Sequence, residues 1–135
     1  MITELFIKQC EQAEEIQEEW KPAVNHWCYE IRTKRIHIFT VADAMLDNPK
    51  IYFKWLPTLE QLWEEIEKEH FTEGTDLTIS NNLKTDMYSV NIYTEIDDSI
   101  YTRKSEGKTL KECLLKLIMI EYNKYWTGKK WEAIT

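Results

Sequence analysis

Apolar residues recur at steps of three and four positions in three segments of the chain, and this period predicts three amphipathic helices. The first helix is predicted over residues 3–20, with glutamates between its apolar positions. Those apolar positions are Leu5, Phe6, Cys10, Ala13, Ile16 and Trp20. Pro22 ends the segment, because the residue before a proline is disfavoured in the helical conformation.

The second helix is predicted to begin after Pro57. Thr58 and Gln61 have the spacing of a capping box, in which each side chain satisfies a free backbone amide of the other. Its apolar stripe consists of Leu59, Leu62, Trp63, Ile66 and His70. The charged positions between them are expected to face water: Glu64, Glu65, Glu67 and Lys68.

The third helix is predicted to begin after Gly107, with Thr109 and Glu112 as its capping box. Its apolar side is broad, which predicts burial over much of its circumference. Gly128 is expected to end it, so Trp126 falls within the predicted helix.

Alternating apolar and polar residues, rich in aromatic and β-branched types, predict strands between these helices. They are expected over residues 26–31, 35–40, 51–55, 76–80, 87–94 and, more briefly, 100–103. Residues 43–50 and 81–86 are predicted to be loops. The order α-βββ-α-ββ(β)-α predicts the α+β class, with an antiparallel β-sheet covered by amphipathic helices.

The domain organisation follows from length and composition. The chain has 135 residues, 43% hydrophobic and 13% aromatic, and it lacks a Pro/Gly/Ser-rich linker. It is therefore expected to form one domain over residues 1–135. A division into lobes 1–55 and 56–135 is the alternative.

The net charge of −7 indicates which kinds of molecule the protein is expected to bind. It argues against direct binding of nucleic acid, which requires a basic surface, and against anionic membranes. It suits a basic partner protein. No apolar run approaches the roughly 20 residues that span a bilayer, and no signal peptide is evident. Three widely spaced cysteines indicate a reducing compartment rather than disulfides.

Candidate chemistry is sparse in the sequence. His26, Cys28 and His37 are zinc-type ligands on neighbouring predicted strands, but a fourth ligand is lacking. Cys28 beside His26 also suggests a Cys–His nucleophile, without a third group to complete it. A buried structural cysteine and two surface histidines are the simpler interpretation. No metal, cofactor or catalytic residue is predicted, and the chain is expected not to be an enzyme.

Two surfaces are candidates for binding. Glu64 and Glu65 belong to acidic arrays, which are typical of solvated helix faces. The arrays comprise Glu14, Glu15, Glu18 and Glu19; Glu64, Glu65, Glu67 and Glu69; and Asp97 with Asp98. The alternative is that the acidic helices contact a basic protein surface. The second candidate is a basic aromatic end that contacts a partner or frays: Tyr125 and Trp131, with Lys124, Lys129 and Lys130.

The most distinctive run in the chain is IYFKWLPTLEQLW, residues 51–63. It resembles the WLPTxxQL segment of small uncharacterised proteins of phages and prophages of low-GC Gram-positive bacteria. Residues 20–27, WKPAVNHW, are similar to the W-x-P-x-x-G-D-W segment of those proteins, with Asn25 and His26 in place of Gly-Asp. Residues 56–126 resemble the phage α-β-α (ABA) sandwich domain, whose function is unassigned. The resemblance implies a phage or prophage protein in the cytoplasm of a bacterial host.

The resulting functional expectation is a non-enzymatic phage accessory protein that contacts a host protein, basic or nucleic-acid-binding, and inhibits a host defence factor. The alternative is a module that binds a small molecule or signalling nucleotide, with basic groups drawn from Arg32, Arg35 or Arg103. A homodimer is a further expectation, because small aromatic-rich domains often self-associate.

Overall fold

The computed structural model describes residues 2–70 and 75–135, except for the side chains of Glu69 and His70. The chain divides into two compact units. The first comprises Met1–Thr58 and Trp126–Ala133, and the second comprises Leu59–Tyr125 and Ile134–Thr135. The single domain over residues 1–135 stays a prediction.

The first unit contains short helices and a three-stranded sheet. Its strands pair antiparallel in the order β2-β1-β3. The elements are α1 (Glu4–Gln12), α2 (Glu14–Glu19), β1 (Trp27–Glu30), β2 (Arg35–Ile38), α3 (Val41–Ala44), a 3-10 turn (Pro49–Ile51) and β3 (Phe53–Trp55). The predicted loop over residues 43–50 is wrong at its start, where α3 carries a capping box between Thr40 and Asp43. The Thr-x-x-Asp spacing begins a helical turn there.

The single helix predicted over residues 3–20 is interrupted at Ala13, whose φ of −83° and ψ of 79° are not helical. The apolar period continues through the break, so the pattern does not reveal it. The side-chain amide of the buried Gln17 donates a 2.9 Å hydrogen bond to the Cys10 carbonyl oxygen. The same carbonyl also accepts from the Ala13 amide at 3.1 Å, so it receives two hydrogen bonds at the end of α1.

An aromatic cluster forms much of the core of the first unit. The Trp20 and Trp55 rings are stacked, with centroids 6.4 Å apart and planes 2° from parallel. Phe39 meets Trp20 edge-on at 6.0 Å and Phe53 edge-on at 5.7 Å. All four side chains are buried. Such aromatic pairs add to the free energy gained from burial.

The second unit has two helices and a three-stranded antiparallel meander, in the order β4-β5-β6. Its elements are α4 (Leu59–His70), β4 (Thr75–Asn82), β5 (Met87–Ile96), β6 (Ser99–Gly107) and α5 (Leu110–Glu121). All three strands are longer than predicted. β4 extends into the predicted loop 81–86, because Asp86 adopts a left-handed φ of 55° and its amide closes the turn on the Asn82 carbonyl oxygen at 2.8 Å.

The predicted start of α5 is confirmed. The Thr109 hydroxyl accepts from the Glu112 amide at 3.2 Å. The Glu112 carboxylate accepts from the amide of Lys108, one residue earlier than in a standard capping box. With Val90 and Ile92 of β5, the apolar side of α5 supplies most of the core of this unit.

The predicted end of this helix is wrong. It stops at Glu121, and Asn123 takes a left-handed φ of 59° while its amide donates to the Ile120 carbonyl oxygen at 2.8 Å. Asparagine tolerates this conformation better than most residues, so it acts as a C-terminal stop. Trp126 therefore lies in a strand, where β7 (Lys124–Trp126) pairs with β8 (Trp131–Ala133).

The α+β class and the antiparallel pairing are confirmed. The described strands belong to three small sheets, whereas the sequence predicts one sheet. Local alternation predicts that a segment is a strand, but it does not determine which strands pair.

Candidate functional site

An open groove runs along the second unit, between α4, α5 and β4. Its floor is apolar: Leu59 and Trp63 are one helical turn apart on α4, Leu110 and Leu114 are one turn apart on α5, and Ile79 comes from β4. The groove encloses a volume of about 470 Å³. This size falls within the range of sites that accept a ligand or a few side chains of a partner.

The groove exists because the apolar stripe of α4 is wider than the interior that it covers. Leu62 and Ile66 are fully buried, as the helical period predicts. Leu59 retains 40% of its exposure and Ile79 retains 51%. Trp63 is half-buried. The sequence places Leu59 and Trp63 correctly on the apolar side of α4, but it does not show that this side is only partly covered.

Three carboxylates line the α4 side of the groove: Glu60, Glu64 and Glu67. All three residues are exposed. Their spacing of four and three residues places them on one face of the helix, close to neighbouring turns. No lysine, arginine or histidine lines the groove in the described part of the chain. The surface therefore combines an apolar floor with a negative rim, and we call it the acidic groove.

Glu64 and Glu65, which the sequence pairs as binding candidates, have different environments. Glu64 lies in the acidic groove. Glu65 does not line it, and its carboxylate is 3.3 Å from the Lys68 ammonium with only 18% of the side chain exposed. The carboxylate of Glu69, a further member of the predicted array, lies outside the described side chains. The sequence analysis did not predict Glu60 as a binding candidate. Its i, i+4 spacing from Glu64 indicates that the two residues share one face of the helix.

The basic aromatic end is a hairpin rather than a frayed segment. The Trp131 indole N–H donates a 2.9 Å hydrogen bond to the Gln9 carbonyl oxygen of α1, and the Trp126 and Trp131 rings meet edge-on at 5.1 Å. Trp131 is half-buried, so the predicted exposure is found for Tyr125 and not for Trp131. Burial of Trp131 is favoured because its polar N–H finds a partner.

The lysines of this hairpin, Lys129 and Lys130, are both exposed. The Lys130 ammonium is 3.3 Å from the Glu132 carboxylate. Neither lysine lines the acidic groove. None of the candidates Trp131, Tyr125, Lys129 and Lys130 therefore lines the groove that contains Glu64.

A polar network that the sequence analysis missed joins His37 to the start of α3. The Asp43 carboxylate lies 2.6 Å from the His37 Nε2 atom and accepts from the Thr40 amide and hydroxyl at 2.8 and 2.9 Å. Burial acts to raise the pKa of Asp43, but these hydrogen bonds outweigh it and hold the pKa below its ordinary value. The Thr-x-x-Asp spacing was the signal available in the sequence.

Cys28 and the two histidines do not converge on one point. The Cys28 thiol donates to the His37 carbonyl oxygen at 3.4 Å, and the His26 Nδ1 atom accepts from the Trp20 indole at 3.0 Å. Burial, together with the carboxylates of Asp43 and Glu30, raises the pKa of Cys28 to about 12. The thiol is therefore protonated near neutral pH, which is the opposite of what a nucleophile requires.

Within residues 2–70 and 75–135, no three His, Cys, Asp or Glu side chains form a group that could hold an ion. The described helices are also too short or too polar to cross a lipid bilayer.

Comparisons with protein-family models, with curated proteins and with solved structures find no match for this chain.

Proposed function

We propose that this chain is a non-enzymatic accessory protein that acts by protein–protein contact, and that its acidic groove binds a basic amphipathic segment of the partner. The observation that carries the proposal is the coincidence of exposed apolar side chains and an uncompensated row of carboxylates on one surface. Each feature alone is common, whereas their combination specifies the chemistry of a partner.

The apolar floor supports a protein partner. Leu59, Trp63 and Ile79 lie side by side, and contiguous exposed apolar surface of this kind commonly marks an interaction site. Tryptophan is among the residues most enriched at binding hot spots. Burial of these side chains by a partner would supply the binding free energy.

The rim restricts the sign of the partner's charge. Glu60, Glu64 and Glu67 would repel a phosphate backbone or an acidic peptide and attract lysine and arginine. Rim charges act mainly on specificity and association rate, so the apolar floor and the acidic rim have separate roles.

The spacing of the three carboxylates along α4 also indicates how long the bound segment of the partner should be. From Glu60 to Glu67 the helix axis advances roughly 11 Å at 1.5 Å per residue, which equals two helical turns. A helix lying in the groove would place apolar side chains at i and i+4 on the floor and basic side chains along the rim. This is the helix-in-groove mode of recognition.

The resemblance to phage and prophage proteins supplies the biological setting. Host proteins that hold nucleic acid present basic surfaces, and an acidic phage protein would compete for them. A host defence factor of this type, in the bacterial cytoplasm, is the partner class that we propose.

Two defined peptides test the groove directly. The first is a Leu/Lys amphipathic peptide of about 14 residues, or roughly four helical turns. The second is its Leu/Glu counterpart with the same apolar positions. Isothermal titration calorimetry should show that the first binds, that the second does not, and that added salt weakens binding.

Matched variants then locate the interaction. The triple variant Glu60→Gln, Glu64→Gln and Glu67→Gln should weaken binding about tenfold, since each exposed ion pair contributes roughly 0.5 kcal/mol. Leu59→Ser should weaken it as well. The control is Glu95→Gln, Asp97→Asn and Asp98→Asn, which removes the same charge from exposed positions of the same unit. Equal loss in both triple variants, or equal binding of both peptides, would refute the groove as the site.

A further inference from the structure

The first unit contains a second open cleft, between α1 and the hairpin of β1 and β2. Ile7 of α1, Tyr29 of β1 and Ile36 of β2 supply its apolar surface. Its volume is about 660 Å³. This is larger than the acidic groove and falls within the range of small-molecule sites.

Cations reach this cleft from both walls: Lys8 comes from α1, and Lys34 and Arg35 come from the hairpin. None of the three forms an ion pair with any residue whose position the structure describes. By contrast, Arg103 on β6 is paired with the Glu121 carboxylate. Three cations against the two carboxylates of the same lining, Glu4 and Glu11, leave the cleft one net positive charge in a chain whose net charge is −7.

The hairpin turn holds Lys34 in an uncommon conformation. Its φ is +57°, in the left-handed region that glycine and asparagine adopt at a lower cost in free energy than lysine. The Lys34 amide donates to the Glu30 carbonyl oxygen at 2.8 Å and so closes the turn. A lysine at this position costs backbone free energy and contributes an ammonium group to the cleft. Arg35 follows it directly at the start of β2.

The floor of the cleft can accept a planar group. Tyr29 and Ile36 are directly opposed across the antiparallel pair, so their side chains lie next to each other on one face of the sheet. The Tyr29 ring makes no ring contact with the described aromatic residues, whereas Trp20, Phe39, Phe53 and Trp55 all contact one another or His side chains. The half-buried Tyr29 side chain therefore lines the cleft together with the cations.

We infer that this cleft binds a nucleotide. The base stacks on Tyr29 and Ile36, and the phosphate oxygens accept hydrogen bonds from Lys34 and Arg35, with Lys8 on the opposite wall. Guanidinium and ammonium groups bind phosphate through charge-assisted hydrogen bonds. Stacking on Tyr29 would favour a nucleotide over inorganic phosphate.

The carboxylates of the cleft fit the same ligand. Glu4 and Glu11 line the α1 wall. A phosphate would avoid them, but a ribose hydroxyl or a base amino group donates to a carboxylate, as ribose does to acidic residues in dinucleotide sites. Because the carboxylates lie on α1 and two of the cations lie on the hairpin, the nucleotide would bind in one orientation. Its phosphate would lie at the hairpin, and its sugar and the edge of its base would face α1. This arrangement also disfavours a long polyanion, which would have to cross both carboxylates.

The experiment uses the full chain with AMP, adenosine, ribose 5-phosphate, inorganic phosphate and a single-stranded oligonucleotide as probes, measured by isothermal titration calorimetry. AMP should bind more tightly than adenosine, ribose 5-phosphate and inorganic phosphate, because it alone engages the ring and the cations together. No heat of binding for AMP up to a concentration of about 1 mM, the weak end of specific affinity, would overturn the inference. So would an oligonucleotide that binds more tightly than AMP, since that marks a nucleic-acid surface.

Variants assign the binding to the cleft. Lys34→Asn with Arg35→Gln should weaken AMP binding by about tenfold or more, as expected when charge-assisted hydrogen bonds are lost. Asparagine suits the positive φ of Lys34, so this variant retains the turn. Tyr29→Leu should weaken AMP binding and leave inorganic phosphate unaffected. The control, Lys21→Gln with Lys54→Gln, removes two cations of the same unit that do not line the cleft, and an equal loss there would refute the site.

The result of the AMP experiment does not depend on whether the acidic groove binds a peptide. The cleft variants lie in the first unit and the groove variants lie in the second. Peptide binding should therefore be unchanged in Lys34→Asn with Arg35→Gln, and AMP binding should be unchanged in the Glu60, Glu64 and Glu67 variant.

Discussion

The side chain of Gln17 binds both backbone groups of Trp55. Its amide nitrogen donates to the Trp55 carbonyl oxygen at 3.0 Å, and its amide oxygen accepts from the Trp55 N–H at 2.6 Å. A helix side chain thereby takes the place of a neighbouring strand along this part of β3. The same nitrogen reaches the Cys10 carbonyl oxygen, so one residue joins the break between α1 and α2 to the sheet.

Replacement of Gln17 by leucine should destabilise the protein by about 2–4 kcal/mol, because it leaves two buried backbone groups unsatisfied at roughly 1–3 kcal/mol each. Gln12→Leu is the control, since Gln12 is also helical and its side chain makes no described hydrogen bond. Urea unfolding measures both. A loss for Gln17→Leu no larger than for Gln12→Leu would show that the bonds to Trp55 contribute little.

Acidification should weaken the start of α3. Hydrogen bonds hold the pKa of Asp43 below its ordinary value of about 3.9, so its contribution is complete above that pH and is lost as pH falls through the lower folded value. The free-energy difference between the native protein and Asp43→Asn should shrink as the pH falls below about 4. Asp47→Asn, at an exposed position, should show no such change. A difference that is independent of pH would contradict the network.

Alkaline pH should also destabilise the fold. Burial raises the pKa of Cys28 to about 12 and, with partial opposition from the Lys116 ammonium, that of Cys113 to about 11. Both thiols stay protonated in the native state while the unfolded chain ionises, so stability present below about pH 9 is lost as pH rises toward the folded values. Each thiol contributes a slope of about 1.4 kcal/mol per pH unit.

Cys28→Ala should flatten this alkaline slope, whatever its effect on stability at pH 7. The same protonation predicts slow labelling of both thiols by a disulfide reagent at pH 8 in the native state, and fast labelling in urea. Labelling of native Cys28 at the rate of an unfolded thiol would disprove the raised pKa.

The Thr109 side chain that caps α5 should contribute about 1 kcal/mol to the free energy of unfolding. Thr109→Ala removes the hydroxyl that accepts from the Glu112 amide, whereas Thr109→Ser retains it. Thr85→Ala, at an exposed turn position, should change stability by less than about 0.5 kcal/mol. Thermal unfolding of the three variants gives the comparison, and equal stability of Thr109→Ala and Thr109→Ser would exclude a capping role.

Local signals predicted local structure well. Thr109 and Glu112 indicated the start of α5, and the alternation around Val90 and Ile92 indicated β5. Some failures were local, since Asn123 and Asp86 each take a left-handed φ that hydrophobic patterning does not reveal. The break at Ala13 instead lies close to a long-range contact, because Gln17 binds Trp55, which lies 38 residues away in the chain.

The candidate sites, too, were predictable in their local features and not in those that depend on tertiary packing. Helical periodicity placed Leu59 and Trp63 on one side of α4, and Glu64 was predicted as a binding candidate. Only the tertiary structure shows that this side is incompletely covered, because coverage depends on where β4 and α5 lie. Arg35 was likewise an expected basic group, but only the tertiary structure shows that it lines one cleft with Lys8 of α1.

The hydrogen bond between Trp131 and Gln9 has a consequence for synthesis. Its two partners are 122 positions apart, so the first unit cannot acquire this bond until Trp131 has left the ribosome. During translation, the Gln9 carbonyl oxygen of α1 remains without Trp131 while the whole second unit emerges. A contact of such sequence separation carries a large loop-closure entropy and slows folding. Helix α1 is made before the second unit, yet its contacts are completed only after residues 59–125 have been made.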